Sequence, residues 1–306
     1  MTGITVRAAT PADLPAIAAI ARATDSGQEF AGADPAYATF LLEHGRLVVS
    51  AAGGGGPVTG FGATVRFGPA ERDVTMLTDL YVDPAVHGGG AGRAILDELW
   101  GASPRRMTFA SAHAHALPLY TRFGLDAWWP LLYLDGSPAA GPAPAGWAVT
   151  ACTPEEAGAR ELAWTGADRT AEHRAIAARP GGRSVLASRH GVPLAAASAG
   201  GADPEYGLAH LAVAPGTGRA GEGGRTGQGQ PAGQDGRDEI ARDAVLAIVA
   251  SLTPRAGTAR AYLPAPHPAV RPLLARGWRV VSQDTFMATD PALLDPRAGI
   301  PHPGLA

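Results

Sequence analysis

Apolar positions change period several times along this chain, and each change predicts an element. Ile4, Val6 and Ala8 alternate with polar residues, the pattern of a strand with one buried face. Thr10-Pro11-Ala12-Asp13 then combines an N-cap residue, proline at the first helical position and a carboxylate in the first turn. Leu14, Ile17 and Ala21 give the helix that follows one apolar face. Residues 25–35 are polar and read as a loop, and residues 37–44 as a short second helix. Residues 47–52 and 60–67 form a predicted strand pair joined across a run of four glycines. Met76, Leu77, Leu80, Tyr81 and Val82 mark a further strand, which ends before Pro84, a residue with no N–H for a ladder. Ile95, Leu96, Leu99 and Trp100 share one face of a helix, with Asp97 and Glu98 opposite. Residues 106–110 predict a strand, 117–122 a short helix, and 124–134 a last apolar strand.

The pattern then starts again. Residues 137–146 are Pro, Ala and Gly with no period, the composition of a linker. Ile4-x-Val6 and Thr10-Pro11-Ala12-Asp13 return 143 positions on as Trp147-x-Val149 and Thr153-Pro154-Glu155-Glu156. Leu80-Tyr81-Val82-Asp83-Pro84 has an echo in Leu211-Ala212-Val213-Ala214-Pro215, and the stretch around Tyr120 has one around Leu273 and Leu274. Three echoes in one order predict a duplicated domain: residues 1–136, a linker, a second copy over 147–290, and a tail over 291–306. The second copy departs from the first after its central strand. Residues 216–236 are rich in Gly, Gln and Arg and predict a disordered insert, with a helix resuming over 238–252.

Composition narrows the class. With 306 residues and 46% apolar content the chain supplies two cores. A net charge of −3 with 17% charged residues gives no footprint for a nucleic-acid partner. No leader-like or membrane-length apolar run occurs, so no membrane partner is expected. One cysteine, Cys152, fits a reducing compartment, and the expectation is a cytoplasmic monomer or homodimer.

Chemistry concentrates between the fourth strand and the helix after it. His87-Gly88-Gly89-Gly90-Ala91-Gly92-Arg93 opens directly onto that helix, whose first backbone N–H groups and positive end converge on one point and call for an anion. A P-loop needs a lysine, and the chain has none. The dinucleotide pattern G-x-G-x-x-G fails at this turn. It occurs at residues 216–221, where no helical period follows, so a nucleotide-dependent oxidoreductase has little support.

Val82-x-Pro84 followed by His87-Gly88-Gly89-Gly90-Ala91-Gly92 resembles the V-x-P…[Q/R]-x-x-G-x-[G/A] signature of GCN5-related N-acetyltransferases (GNAT), with His87 where Gln or Arg is customary. The predicted element order also matches that family's α/β fold with a mixed sheet, so the resemblance implies two tandem GNAT-like domains. It implies acetyl-CoA as cosubstrate, with no metal, and transfer of acetyl to a primary amine of a small molecule or peptide. By position, the backbone of Leu80, Tyr81 and Val82 would pair with the pantetheine arm, and His87, Gly88, Gly89, Gly90, Ala91, Gly92 and Arg93 would hold the pyrophosphate. Tyr120, in Ala116-Leu117-Pro118-Leu119-Tyr120-x-Arg122-Phe123-Gly124, matches the family's general acid, which protonates the departing sulfur. Asp79 stands where relatives carry an acidic group that acts as base. Asp25, Glu29 and Asp34 in the first loop are candidates for binding a cationic amine. His113-Ala114-His115 would share a face if it lay on a strand, but no further ligand lies near in sequence, and cleft histidines are the expectation. The alternative from another class is an acyl-CoA sensor or partner-binding protein with the same fold.

Overall fold

In the computed structural model, which describes residues 3–24, 30, 36–53, 55–68, 73–201, 206–215, 234–254 and 257–304, the first alternation is strand β1 (Ile4–Ala8). Packing divides the chain into two units. One is Met1–Ala127 with Met287–Leu293 and Pro303–Ala306, and the other is Trp128–Phe286 with Leu294–His302.

In the first unit β1 leads through Thr10, whose N–H donates to Asp13 Oδ2 at 2.8 Å, into α1 (Leu14–Ala23). Arg7 grips the same carboxylate through both oxygens, and this charge-assisted pair holds Asp13 well below the usual carboxylate range. Helix α2 (Ala36–His44) follows, then β2 (Arg46–Ala52), β3 (Val58–Phe67) and β4 (Val74–Val82). Next come α3 (Ala91–Trp100), β5 (Arg106–Ala110) and α4 (Ala116–Arg122). Strands β1 to β4 pair antiparallel in sequence order, and β5 pairs with β4 in parallel. The apolar face of α3, Ile95, Leu96 and Leu99, packs with Leu77, Leu125 and Met287. Close approach is possible because β3 carries Gly62, where a Cβ would stand 2.6 Å from Ile95 Cγ2.

A single extra residue in β4 shapes everything that follows. Ala63 pairs with Asp79 but Thr64 with Leu77, so Thr78 is a β-bulge, and its hydroxyl donates to Ala63 O at 3.2 Å. A bulge bends its strand and sharpens the twist. The β4–β5 ladder accordingly ends at Leu77, paired with Thr108, while β4 runs on to Val82.

The second unit repeats this design. Its strands are β6 (Asp126–Gly136, from Trp128 on), β7 (Trp147–Cys152), β8 (Arg183–Arg189), β9 (Val192–Gly200) and β10 (Gly207–Val213). They are followed by β11 (Ala259–Pro264), β12 (Arg279–Ala288, to Phe286) and the two-residue β13 (Gly299–Ile300). The helices are α5 (Pro154–Thr165), α6 (Thr170–Ala177), α7 (Gln234–Ser251) and α8 (Val270–Ala275). Thr153 and Glu156 form a reciprocal capping box on α5, the counterpart of Thr10 and Asp13. Strands β7 to β10 are antiparallel in sequence order and β11 is parallel to β10. Ala209 is skipped between Leu208 and His210 in the pairing with β9, a bulge 131 positions after Thr78. The repeat seen in the echoes therefore extends to a backbone irregularity.

Strand β6, expected as the closing strand of the first copy, pairs along Leu131–Gly136 with β11 in the second unit. Met287 at the end of β12 lies in the core of the first unit, and Thr289 N–H donates to Arg106 O at 3.0 Å there. Residues 216–233, most of the predicted insert and all of the second glycine pattern, fall outside the described residues. Helix α7 begins at Gln234, four residues ahead of the expected start. Among the described residues no helix is long and apolar enough to cross a membrane.

Candidate functional site

The end of β4, the glycine turn and the start of α3 frame a cavity of about 650 Å³ in the first unit. Leu80, Tyr81 and Val82 line one side and His87, Gly88, Gly90, Ala91, Gly92 and Arg93 another, so nearly all the cofactor positions expected from sequence meet at one place. Gly89 alone is not on the wall; its N–H donates to Val86 O at 3.2 Å, tightening the turn.

The turn needs its glycines. Gly88 has φ 81° and Gly90, the N-cap of α3, has φ 91°, values that cost an L-residue strain. Among the described residues no side chain caps the N-terminus of α3, so its first amides face the cavity together with the positive end of the helix. His87 turns back on the strand, its Nε2 donating to Val82 O at 2.9 Å, so the ring ties turn to strand rather than reaching over the amides. The Arg93 guanidinium is exposed and sits 3.7 Å from Asp97 on the next turn.

Tyr120 closes the opposite wall. It is 8% exposed, lines the cavity, and meets Trp100 edge to face with ring centroids 6.0 Å apart. The apolar residues of α3 and α4 place it there, since Leu99, Trp100 and Leu125 share its core. His113 and His115 also line the cavity, and they lie in the turn before α4, not on a strand. Their ring centroids are 5.4 Å apart, with His87 6.5 Å from His113. Ser111, Thr24 and Arg122 complete the polar lining. These three carry no motif, and only the folded chain assigns them to this wall.

Asp79 is not on that wall. Next to the bulge it points into the interior, 6% exposed, 2.7 Å from the Tyr37 hydroxyl on α2, which in turn lies 2.7 Å from Gly304 O. The Tyr37 hydroxyl thus has two acceptors within 2.7 Å, Asp79 Oδ2 and Gly304 O. Asp25, Glu29 and Asp34 lie outside the described residues.

The corresponding place in the second unit is filled by the protein itself. The parallel pairing of β10 with β11 ends at Leu208, opposite Ala261, just as β4 leaves β5 after Leu77. Beyond it, β13 pairs antiparallel with β10, Ile300 against Leu211 and Gly299 against Ala212. Leu211 and Ala212 are the counterparts of Leu80 and Tyr81.

Comparison with known proteins bears on the fold. Residues 15–125 match the sequence profile of the Acetyltransferase (GNAT) family. A candidate acetyltransferase from Pyrococcus horikoshii superposes with a TM-score of 0.67 at 14% identity, covering 98% of this chain and 94% of that one. A GCN5-related N-acetyltransferase from Anabaena variabilis gives 0.59 at 12% identity over 96% and 75% of the two chains. Another from Kribbella flavida gives 0.52 at 15% identity over 96% and 74%. At these identities the likeness is one of fold. No curated protein matches by sequence. Residues 15–125 are therefore similar to the GNAT family, and the fold is the mixed α/β arrangement of solved GCN5-related N-acetyltransferases.

Proposed function

We propose that the first unit binds acetyl-CoA and transfers its acetyl group to a primary amine of a small molecule or peptide. The observation that carries this reading is the N-terminus of α3. It has no side-chain cap among the described residues, is approached through two left-handed glycines, and opens on a cavity of about 650 Å³. A diphosphate supplies the acceptors that those amides lack. The bulge at Thr78 turns the end of β4 toward the same cavity, so an extended pantetheine arm can lie along Leu80 to Val82 as an added strand.

In the reaction the neutral amine nitrogen attacks the thioester carbonyl carbon, and backbone donors of β4 receive the developing oxyanion. The C–S bond then breaks and the sulfur takes a proton from the Tyr120 hydroxyl, while the new amide loses one to a base. A phenol with a pKa of ~10 is protonated at neutral pH and can still donate to a thiolate. A base role for Asp79 needs a relay to the cavity, since neither it nor Tyr37, whose hydroxyl is 2.7 Å from its carboxylate, is on the wall. The interior position of Asp79 favours the second reading, an acyl-CoA sensor, since no carboxylate stands among the described residues lining the cavity.

Calorimetric titration with acetyl-CoA, followed by an amine panel read by thiol release, tests both. Saturable binding with release of free CoA on one class of amine supports the transferase. Binding without release from any amine supports the sensor, and absence of heat at millimolar acetyl-CoA overturns both.

A further inference from the structure

The second unit buries a set of donor atoms for which acyl transfer has no use. Glu161 on α5, His173 on α6 and His210 on β10 just after the bulge are 5%, 0% and 5% exposed. Glu161 Oε2 lies 3.0 Å from His173 Nε2 and 2.8 Å from His210 Nε2, and one donor atom from each residue lies within 4.8 Å of the other two. The two imidazole planes are inclined by 81° with centroids 5.1 Å apart, so the rings reach the carboxylate from different directions.

Two further features suit a cation. His173 Nδ1 is 2.7 Å from Ser198 Oγ, itself 3.0 Å from Ser184 Oγ, which fixes the ring as outer partners of metal-bound imidazoles do. Buried His210 has no hydrogen-bond partner at Nδ1 among the described residues, and its contact is made at Nε2, on the Glu161 side. The buried guanidinium of Arg169 lies 3.6 Å from a second buried carboxylate, Glu172.

We propose that Glu161 Oε2, His173 Nε2 and His210 Nε2 bind one Zn²⁺ ion that ties α5, α6 and β10 together. Two imidazoles and a carboxylate are a donor set zinc accepts, at about 2.0–2.2 Å from each ligand atom. With Nε2 on the metal, the ring proton of His173 sits on Nδ1, where Ser198 Oγ accepts it.

The test uses the full chain purified without a metal-affinity tag, loaded with Zn²⁺ and dialysed against metal-free buffer. Elemental analysis should find about one zinc per chain, and less than about a tenth of that in Glu161→Gln and His210→Ala. Chelation should lower the melting temperature of the wild-type chain by several degrees. Because either variant could unfold, X-ray absorption on the loaded wild-type chain is the second measurement, with two imidazoles and an oxygen expected in the first shell. Less than a tenth of an equivalent in the wild type, full retention in a folded His210→Ala variant, or a zinc shell without imidazole overturns the proposal. Acetyl-CoA titration is a separate readout, so loss of the zinc site and loss of the transferase reading are distinguishable.

Discussion

Replacing Gly90 by alanine tests the anion cradle at its most constrained point. Gly90 holds φ 91° and ψ 1° as the N-cap of α3, and the nearest atom to an added Cβ is Ile4 Cδ1 at 3.8 Å. The methyl group therefore fits without a clash, and the cost is the backbone term alone, about 1–2 kcal/mol for an L-residue in the left-handed region. That cost appears in one of two places. If the free protein keeps the turn, folding stability falls by the full amount and acetyl-CoA affinity is unchanged. If the turn relaxes in the free protein, stability is spared and the dissociation constant rises about 5–30-fold, the same energy at 1.36 kcal/mol per decade. Since the complex holds the same φ in either case, the two losses must together come to about 1–2 kcal/mol. Urea unfolding and calorimetric titration of the two proteins measure the two terms. A sum near zero would mean the bound turn does not use the left-handed conformation. A sum well above ~3 kcal/mol would mean a steric conflict that the geometry denies. Either result refutes the cradle as described.

Two other outcomes are expected. Tyr120→Phe should lower turnover by ~10²-fold or more while leaving the acetyl-CoA dissociation constant within about twofold, and unchanged turnover would remove the phenol from the acid role. Acid stability is set in part by His267, 2% exposed, whose Nδ1 accepts the Ala269 N–H at 3.2 Å. Burial pushes its pKa down to about 3. A folded value below the unfolded one means stability is full above about pH 6.5 and is lost as pH falls toward 3, reaching about 2 kcal/mol by pH 5. His267→Asn keeps an acceptor near the Nδ1 position, so its unfolding free energy should differ between pH 8 and pH 5 by about 2 kcal/mol less than in the parent. Equal pH dependence in the two chains would show that His267 stays protonated or exposed.

What local pattern can express was legible in advance. The alternation of Ile4, Val6 and Ala8, the caps at Thr10 and Thr153, and the face of Ile95, Leu96 and Leu99 each specify an element through contacts a few residues apart. The glycines at 88 and 90 announced a turn that needs positive φ. Echoes of whole segments announced a second copy. Period does not say which strand an apolar strand will pair with, which is why the placement of β6 on β11 could not be read. A bulge is likewise silent in the pattern. Thr78 adds one residue between apolar positions without breaking the run, yet it ends the pairing with β5 and turns Asp79 inward to Tyr37.

By itself, then, the amino-acid order determined the elements, the duplication and the glycine turn, because these rest on neighbouring residues and backbone sterics. Only the tertiary structure decided which amides open on a cavity and that Gly299 and Ile300 pair along β10 in the second unit. It also decided that Glu161, His173 and His210 meet. Each of these joins residues from distant parts of the chain, and such encounters are set by packing that no local period encodes.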